Sequence, residues 1–115
     1  MKSLIAGLAL FLLQFSSGTA QESKVVEATF RVSGNCSQCK ARIEKALTIK
    51  EVKYAKWDKK SKIVTVAYLS PAVSLDSLQH RVAAVGHDTE NFKASDAVYS
   101  TLPGCCLYRG SDGAH

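Results

Sequence analysis

Over residues 26–33 apolar and polar side chains alternate, Val26, Ala28, Phe30 and Val32 against Glu27, Thr29, Arg31 and Ser33. A period of two belongs to a strand with one buried face, which predicts a first strand over about 25–33. The period then lengthens. Cys39, Ile43, Ala46 and Leu47 stand at i, i+4, i+7 and i+8, with Lys40, Arg42, Glu44 and Lys45 on the other side, so an amphipathic helix is expected over 37–48. Residues 52–57 and 63–68 are rich in β-branched and aromatic side chains and flank the polar stretch 58–62. They read as a hairpin with Trp57, Val64, Val66 and Tyr68 turned inward. After Ser70-Pro71 the spacing of Leu75, Leu78, Val82 and Val85 predicts a second helix stopped by Gly86, and a short last strand fits about 89–94.

The element order β-α-β-β-α-β, closed by right-handed crossovers, predicts an α+β fold of the ferredoxin-like kind: an antiparallel four-stranded sheet with both helices on one face. Residues 96–115 fall outside that unit. Their Pro103, Gly104 and Gly110 mark turns, yet Val98, Tyr99, Leu102, Leu107 and Tyr108 carry more apolar surface than a disordered tail keeps. The expectation is that this tail docks on the sheet face away from the helices, over Tyr54 and Ile63.

A chain of 115 residues holds one small domain, which argues against a multidomain enzyme. Its first twenty residues differ from the rest: Lys2, an apolar run over 4–13, then a polar stretch ending Gly18-Thr19-Ala20. That is the pattern of a secretory signal peptide cut after Ala20, with an apolar run too short to serve as a membrane anchor. The expected organisation is signal peptide 1–20, domain 21–95 and tail 96–115, in a periplasmic protein exported across the inner membrane. The net charge of +5 is unevenly spread, with nine basic and three acidic residues between 40 and 62. Such a run either steers an acidic partner or is an ordinary solvated face.

Export would place Cys36, Cys39, Cys105 and Cys106 in an oxidising compartment, where disulfides are the default. Two close pairs far apart in sequence nonetheless look like two sites. Cys36-Ser37-Gln38-Cys39 falls between the first strand and the first helix, where orphan backbone N–H groups and the helix dipole favour thiolate over thiol. Thiolates select soft ions, and two intervening residues let both sulfurs meet one ion that accepts low coordination, such as Cu(I) or Hg(II). A structural zinc site would want four closed ligands. The competing reading of this pair is a disulfide or a thiol–disulfide redox couple, although a thioredoxin fold would need a longer chain and a cis-proline facing the pair. Cys105 and Cys106 are open to four roles: a second metal site, extra thiolates folded back over the first, a disulfide with an outside thiol, or a passive oxidised pair.

The run Gly34-Asn35-Cys36-Ser37-Gln38-Cys39-Lys40 with the Arg42-Ile43-Glu44 helix, set in a βαββαβ order, resembles the heavy-metal-associated domain family over about residues 25–95. That family includes small copper chaperones, the metal-binding domains of copper-transporting ATPases and the periplasmic mercuric-ion binding component of mercury-resistance operons. The last is nearest in architecture, being a single exported domain. The resemblance implies a monomeric, non-enzymatic carrier in which Cys36 and Cys39 ligate Cu(I) or Hg(II) and exchange it with a donor or acceptor such as a membrane metal transporter. It also draws attention to His87, since members often carry Tyr, Lys or His at the matching loop position. His87 is there either a third ligand or a solvated loop residue. His80 reads as a surface partner of Asp76, and His115 as a terminal residue.

One departure from the family motif Gly-Met-x-Cys-x-x-Cys stands out. Gly34 lies two residues before Cys36, and the only methionine is Met1. Two other classes find little support. Single-strand RNA binding shares the element order but needs stacking aromatics that 63–69 lack, so no nucleic-acid partner is expected. No histidine stands with a nucleophile and an acid in a hydrolytic constellation. The remaining alternative is an exported thiol–disulfide redox protein that uses Cys36 and Cys39.

Overall fold

Three strands and two long helices stand where the periodicities put them. In the computed structural model, which describes residues 22–110, β1 (Lys24–Arg31), α1 (Ser37–Ala46), β2 (Val52–Asp58), β3 (Ile63–Ser70) and α2 (Leu75–Ala84) follow in that order. A single-turn helix α3 (Asp96–Tyr99) and a 3-10 turn over Gly104–Cys106 come after them. Residues 1–20, read above as a signal peptide, and His115 lie outside the described residues. No helix among the described residues is long and apolar enough to cross a membrane.

β3 is the central strand, antiparallel to β1 on one side and to β2 on the other. Val64 faces both Phe30 and Trp57 across the ladders, and Val66 faces both Ala28 and Ala55. The even spacing therefore stacks these side chains in rows on one face of the sheet. Ile43 and Leu47 from the first helical stripe and Leu78 and Val82 from the second close that face, all four fully buried. Each such side chain contributes about 1.5–3 kcal/mol by leaving water. α2 begins with a reciprocal cap, Ser74 Oγ accepting from Ser77 N–H and Ser77 Oγ from Ser74 N–H, and ends where Gly86 adopts φ +111°.

The described sheet has three strands, not the four expected. The strand read at 89–94 is reduced to one bridge between Val32 and Thr89. Side-chain acceptors have taken the donors a ladder would use. Buried Gln79 accepts from the Asn91 N–H and the Thr89 hydroxyl through Oε1, while the Asp88 carboxylate accepts from Ala94 N–H. Thr89 N–H meets the Phe92 carbonyl in a tight turn, and the chain leaves the β1 edge after Glu90 N–H donates to Arg31. His80 stays exposed beside the Phe92 ring, centroids 4.3 Å apart.

The tail is ordered, but it docks elsewhere than expected. Leu102 packs on Gly86, and the Tyr108 ring lies stacked 5.5 Å from His87, so the tail covers the end of the domain where α1 starts and α2 stops. Tyr54, on the outer sheet face, keeps 49% of its surface exposed. The reason is polar as much as apolar. Backbone groups in the sheet already bond within the ladders, whereas the loops at the other end leave carbonyls and N–H groups for a docking segment to satisfy. Tyr108 hydroxyl donates to the Gly86 carbonyl at 2.6 Å and accepts from Asp88 N–H at 2.8 Å. Arg109 pairs with Asp88 at 2.8 Å and with Asp96 at 3.0 Å, donates to the Ala94 carbonyl, and lies over the Tyr99 ring.

Candidate metal centre

The loop from β1 to α1 is held from below by Trp57. That side chain is fully buried, its indole N–H donates to the Val32 carbonyl at 2.9 Å, and its ring edge sits under Gly34, where an added Cβ would come within 3.2 Å. A tryptophan from β2 thus braces the loop in a chain whose motif lacks the family's methionine. Lys62 closes the other side by donating to the Gly34 carbonyl at 2.6 Å. α1 is tied to the same strand, since Glu44 accepts from the Trp57 N–H and Lys40 donates to the Trp57 carbonyl.

Cys36 then occupies the N-cap of α1 with an extended backbone, its carbonyl accepting from the N–H groups of Cys39 and Lys40. Cys39 starts the buried stripe of the helix and is itself fully buried. Its Sγ accepts from two backbone donors, Asn35 N–H at 3.2 Å and Cys36 N–H at 3.4 Å. The Cys36 N–H is one of the orphan groups expected at a helix start, and here it points at sulfur together with the N–H of Asn35, just ahead of the cap.

The tail completes the cluster. Cys106 is fully buried, with its Sγ 2.7 Å from Cys39 Sγ and 3.4 Å from Cys36 Sγ. Cys36 and Cys39 sulfurs are 3.4 Å apart, and all three lie within 4.8 Å of one another. Cys105, adjacent in sequence, is exposed and forms a disulfide with Cys36 that closes 69 residues of chain. The disulfide is thus neither Cys36–Cys39 nor Cys105–Cys106. Cys39 and Cys106 remain free thiols. Burial pushes the Cys106 thiol up to about 11, with the contact to Cys39 acting in the same direction and Arg42 opposing it. The Arg42 guanidinium donates to Cys106 Sγ at 3.4 Å.

His87 is neither the solvated residue nor a member of the sulfur cluster. It is fully buried, and Nδ1 lies 2.8 Å from the Ser33 carbonyl, which can only accept, so the proton sits on Nδ1. Nε2 is buried without a hydrogen-bond partner, yet the ring is absent from the ligand atoms gathered within 4.8 Å. Burial lowers the His87 pKa most, the Ser33 bond works against that, Arg42 lowers it further and Asp88 raises it.

Arg42 and Trp57 are the site residues that the periodicities did not single out. Arg42 follows Cys39 by three positions, the helical spacing that lets two side chains meet, and that was the available signal. The role of Trp57 had none, because an inward position on a strand does not say which loop lies above it.

No family model and no curated protein sequence matches the chain. Solved structures do. A CopZ metallochaperone is 26% identical with a TM-score of 0.53, over 56% of this chain and 98% of its own. The N-terminal domain of a potential copper-translocating P-type ATPase from Bacillus subtilis, in its Cu(I)-loaded state, is 29% identical with a TM-score of 0.55, over 65% of this chain and 96% of its own. A ZiaAN mutant is 30% identical with a TM-score of 0.51, over 58% of this chain and 97% of its own. An α+β domain with a CxxC pair at the start of its first helix and neighbours of this kind defines one class of protein. The chain belongs to the heavy-metal-associated domain family.

Proposed function

We propose that this protein is an exported carrier of a soft metal ion, Cu(I) or by the same chemistry Hg(II), held by Cys36 and Cys39 and passed on by thiolate exchange. The observation that carries the reading is the Cys36–Cys39 pair at the N-terminus of α1, sulfurs 3.4 Å apart, in a heavy-metal-associated fold. A metallochaperone and a Cu(I)-loaded ATPase domain among its structural neighbours favour copper. Hg(II) rests on the softness of thiolates alone. Export rests on the pattern of residues 1–20.

Metal uptake starts from the reduced site. A thiolate of an external dithiol attacks Sγ of Cys105, the Cys36–Cys105 bond breaks, and Cys36 leaves as a thiolate into the field of the α1 N-terminus. The second thiol of the reductant then resolves the mixed disulfide and frees Cys105. Two electrons have passed from the dithiol, which ends as a disulfide. Cys36 and Cys39 take the ion as thiolates and release their protons. Incoming thiolates from a donor or acceptor replace them one at a time through a three-coordinate intermediate, so the bare ion is never released.

The partner that suits this chemistry is a membrane metal transporter with its own thiolate pair. Exposed Lys45, Lys53 and Lys56 near α1 and β2 give the carrier a basic surface that an acidic partner would meet. Changing Cys36→Ser and Cys39→Ser together tests the reading. In reduced protein the double variant loses tight 1:1 Cu(I) binding in competition with a soft chelator and keeps its far-UV circular dichroism. Unchanged affinity refutes it.

A further inference from the structure

We propose that Cys106 is a third sulfur ligand of the metal site, delivered by the docked tail, and that Arg42 supplies the positive charge a three-thiolate site requires. The inference rests on the reading that Cys36 and Cys39 bind the ion, and extends it to a ligand 67 residues further along the chain.

Geometry carries the argument. Cys106 alternates with its neighbours: Cys105 is exposed on one side, while Cys106 is fully buried and turned to the sulfurs of Cys36 and Cys39 at 3.4 and 2.7 Å. The 3-10 turn fixes that direction through Cys106 N–H donating to the Pro103 carbonyl and Tyr108 N–H to the Cys106 carbonyl, both at 2.8 Å. The turn is anchored independently of any sulfur contact. Tyr108 bridges Gly86 and Asp88, Arg109 holds Asp88 and Asp96, and Leu102 packs on Gly86. A ligand placed by such packing needs little further ordering when the ion arrives, which strengthens binding.

Charge completes it. Two thiolates around Cu(I) leave one excess negative charge, and three leave two, in a site whose cysteines 39 and 106 are shut off from water. Uncompensated charge there is strongly disfavoured. The cationic Arg42 guanidinium lies 3.4 Å from Cys106 Sγ and thereby offsets the added charge.

The test uses the reduced full chain with Cys105→Ser, which removes the disulfide and the fourth sulfur. X-ray absorption of its Cu(I) form is expected to count three sulfur ligands. Adding Cys106→Ser should lower the count to two and weaken Cu(I) binding by about 10- to 100-fold, at least the loss that removing a supporting group brings. Arg42→Gln should keep three sulfurs and weaken binding. Two sulfurs in the Cys105→Ser chain overturn the proposal without requiring any change at Cys106, and so does an equal affinity with and without Cys106. In either case the Cys36–Cys39 site still stands, whereas a Cys105→Ser chain with no tight Cu(I) binding refutes both readings.

Discussion

Tyr108→Phe isolates the polar part of tail docking. Phenylalanine keeps the ring that stacks on His87 at 5.5 Å and meets the Tyr99 ring edge-on at 5.0 Å, so only the hydroxyl is lost. That hydroxyl makes two hydrogen bonds, to the Gly86 carbonyl at 2.6 Å and from Asp88 N–H at 2.8 Å, in a residue only 8% exposed. Its removal leaves a backbone acceptor and a backbone donor without partners. Each such orphan costs about 1–3 kcal/mol when buried, the low end applying where water reaches it. For a domain of this size each kcal/mol shifts the melting temperature by about 4–8 °C, so a fall of at least about 4 °C is expected. The measurement is thermal unfolding by circular dichroism under a reductant, so that the Cys36–Cys105 bond does not tether the tail. Amide exchange at Asp88 should accelerate in parallel. A melting temperature within about 1 °C of the parent chain would show that the tail contributes no folding energy through this hydroxyl.

Other consequences can be checked directly. Peptide mapping without reductant should recover Cys36 joined to Cys105, and reduction should lower urea stability by about 2–4 kcal/mol because the bond closes a long loop in the unfolded chain; a Cys36–Cys39 product would contradict the assignment. His87 has a lowered pKa, so the unfolded chain binds its proton first. Stability is therefore full above the unfolded value near 6.5 and declines as pH falls from there towards the folded value, and His87→Asn, whose amide can keep the Ser33 bond, should flatten that decline. Equal melting temperatures at about pH 7.5 and 5.5 in the parent chain would rule this out. Trp57→Phe leaves the Val32 carbonyl without its donor and opens space under Gly34. A loss of about 1–3 kcal/mol is expected, with weaker Cu(I) binding, and an unchanged affinity would show that the loop needs no brace.

What the amino-acid sequence determined by itself is what is local. Alternation in Ala28–Val32 and Ile63–Tyr68, the stripe through Cys39, Ile43 and Leu47, and Gly86 at φ +111° follow from short-range periodicity and backbone sterics and are found where they were read, whereas Val26, expected on the buried face, keeps 38% of its surface exposed near the start of β1. The Cys36–Cys39 pair at a helix start is local in the same sense. The last strand was misread because its donors are claimed by Gln79 and by Asp88, choices made by packing between segments rather than within one. The tail shows the same limit most clearly. Cys105 and Cys106 are chemically identical neighbours, and nothing in their immediate sequence says which enters the site. Tyr108, Arg109 and Leu102 decide it by docking on Gly86 and Asp88, 16 to 22 residues away in the chain, which turns one sulfur to Cys36 at the surface and buries the other against Cys39 and Arg42. Long-range contacts of this kind exist only once the domain has folded, and only the tertiary structure assigns the two cysteines their different places.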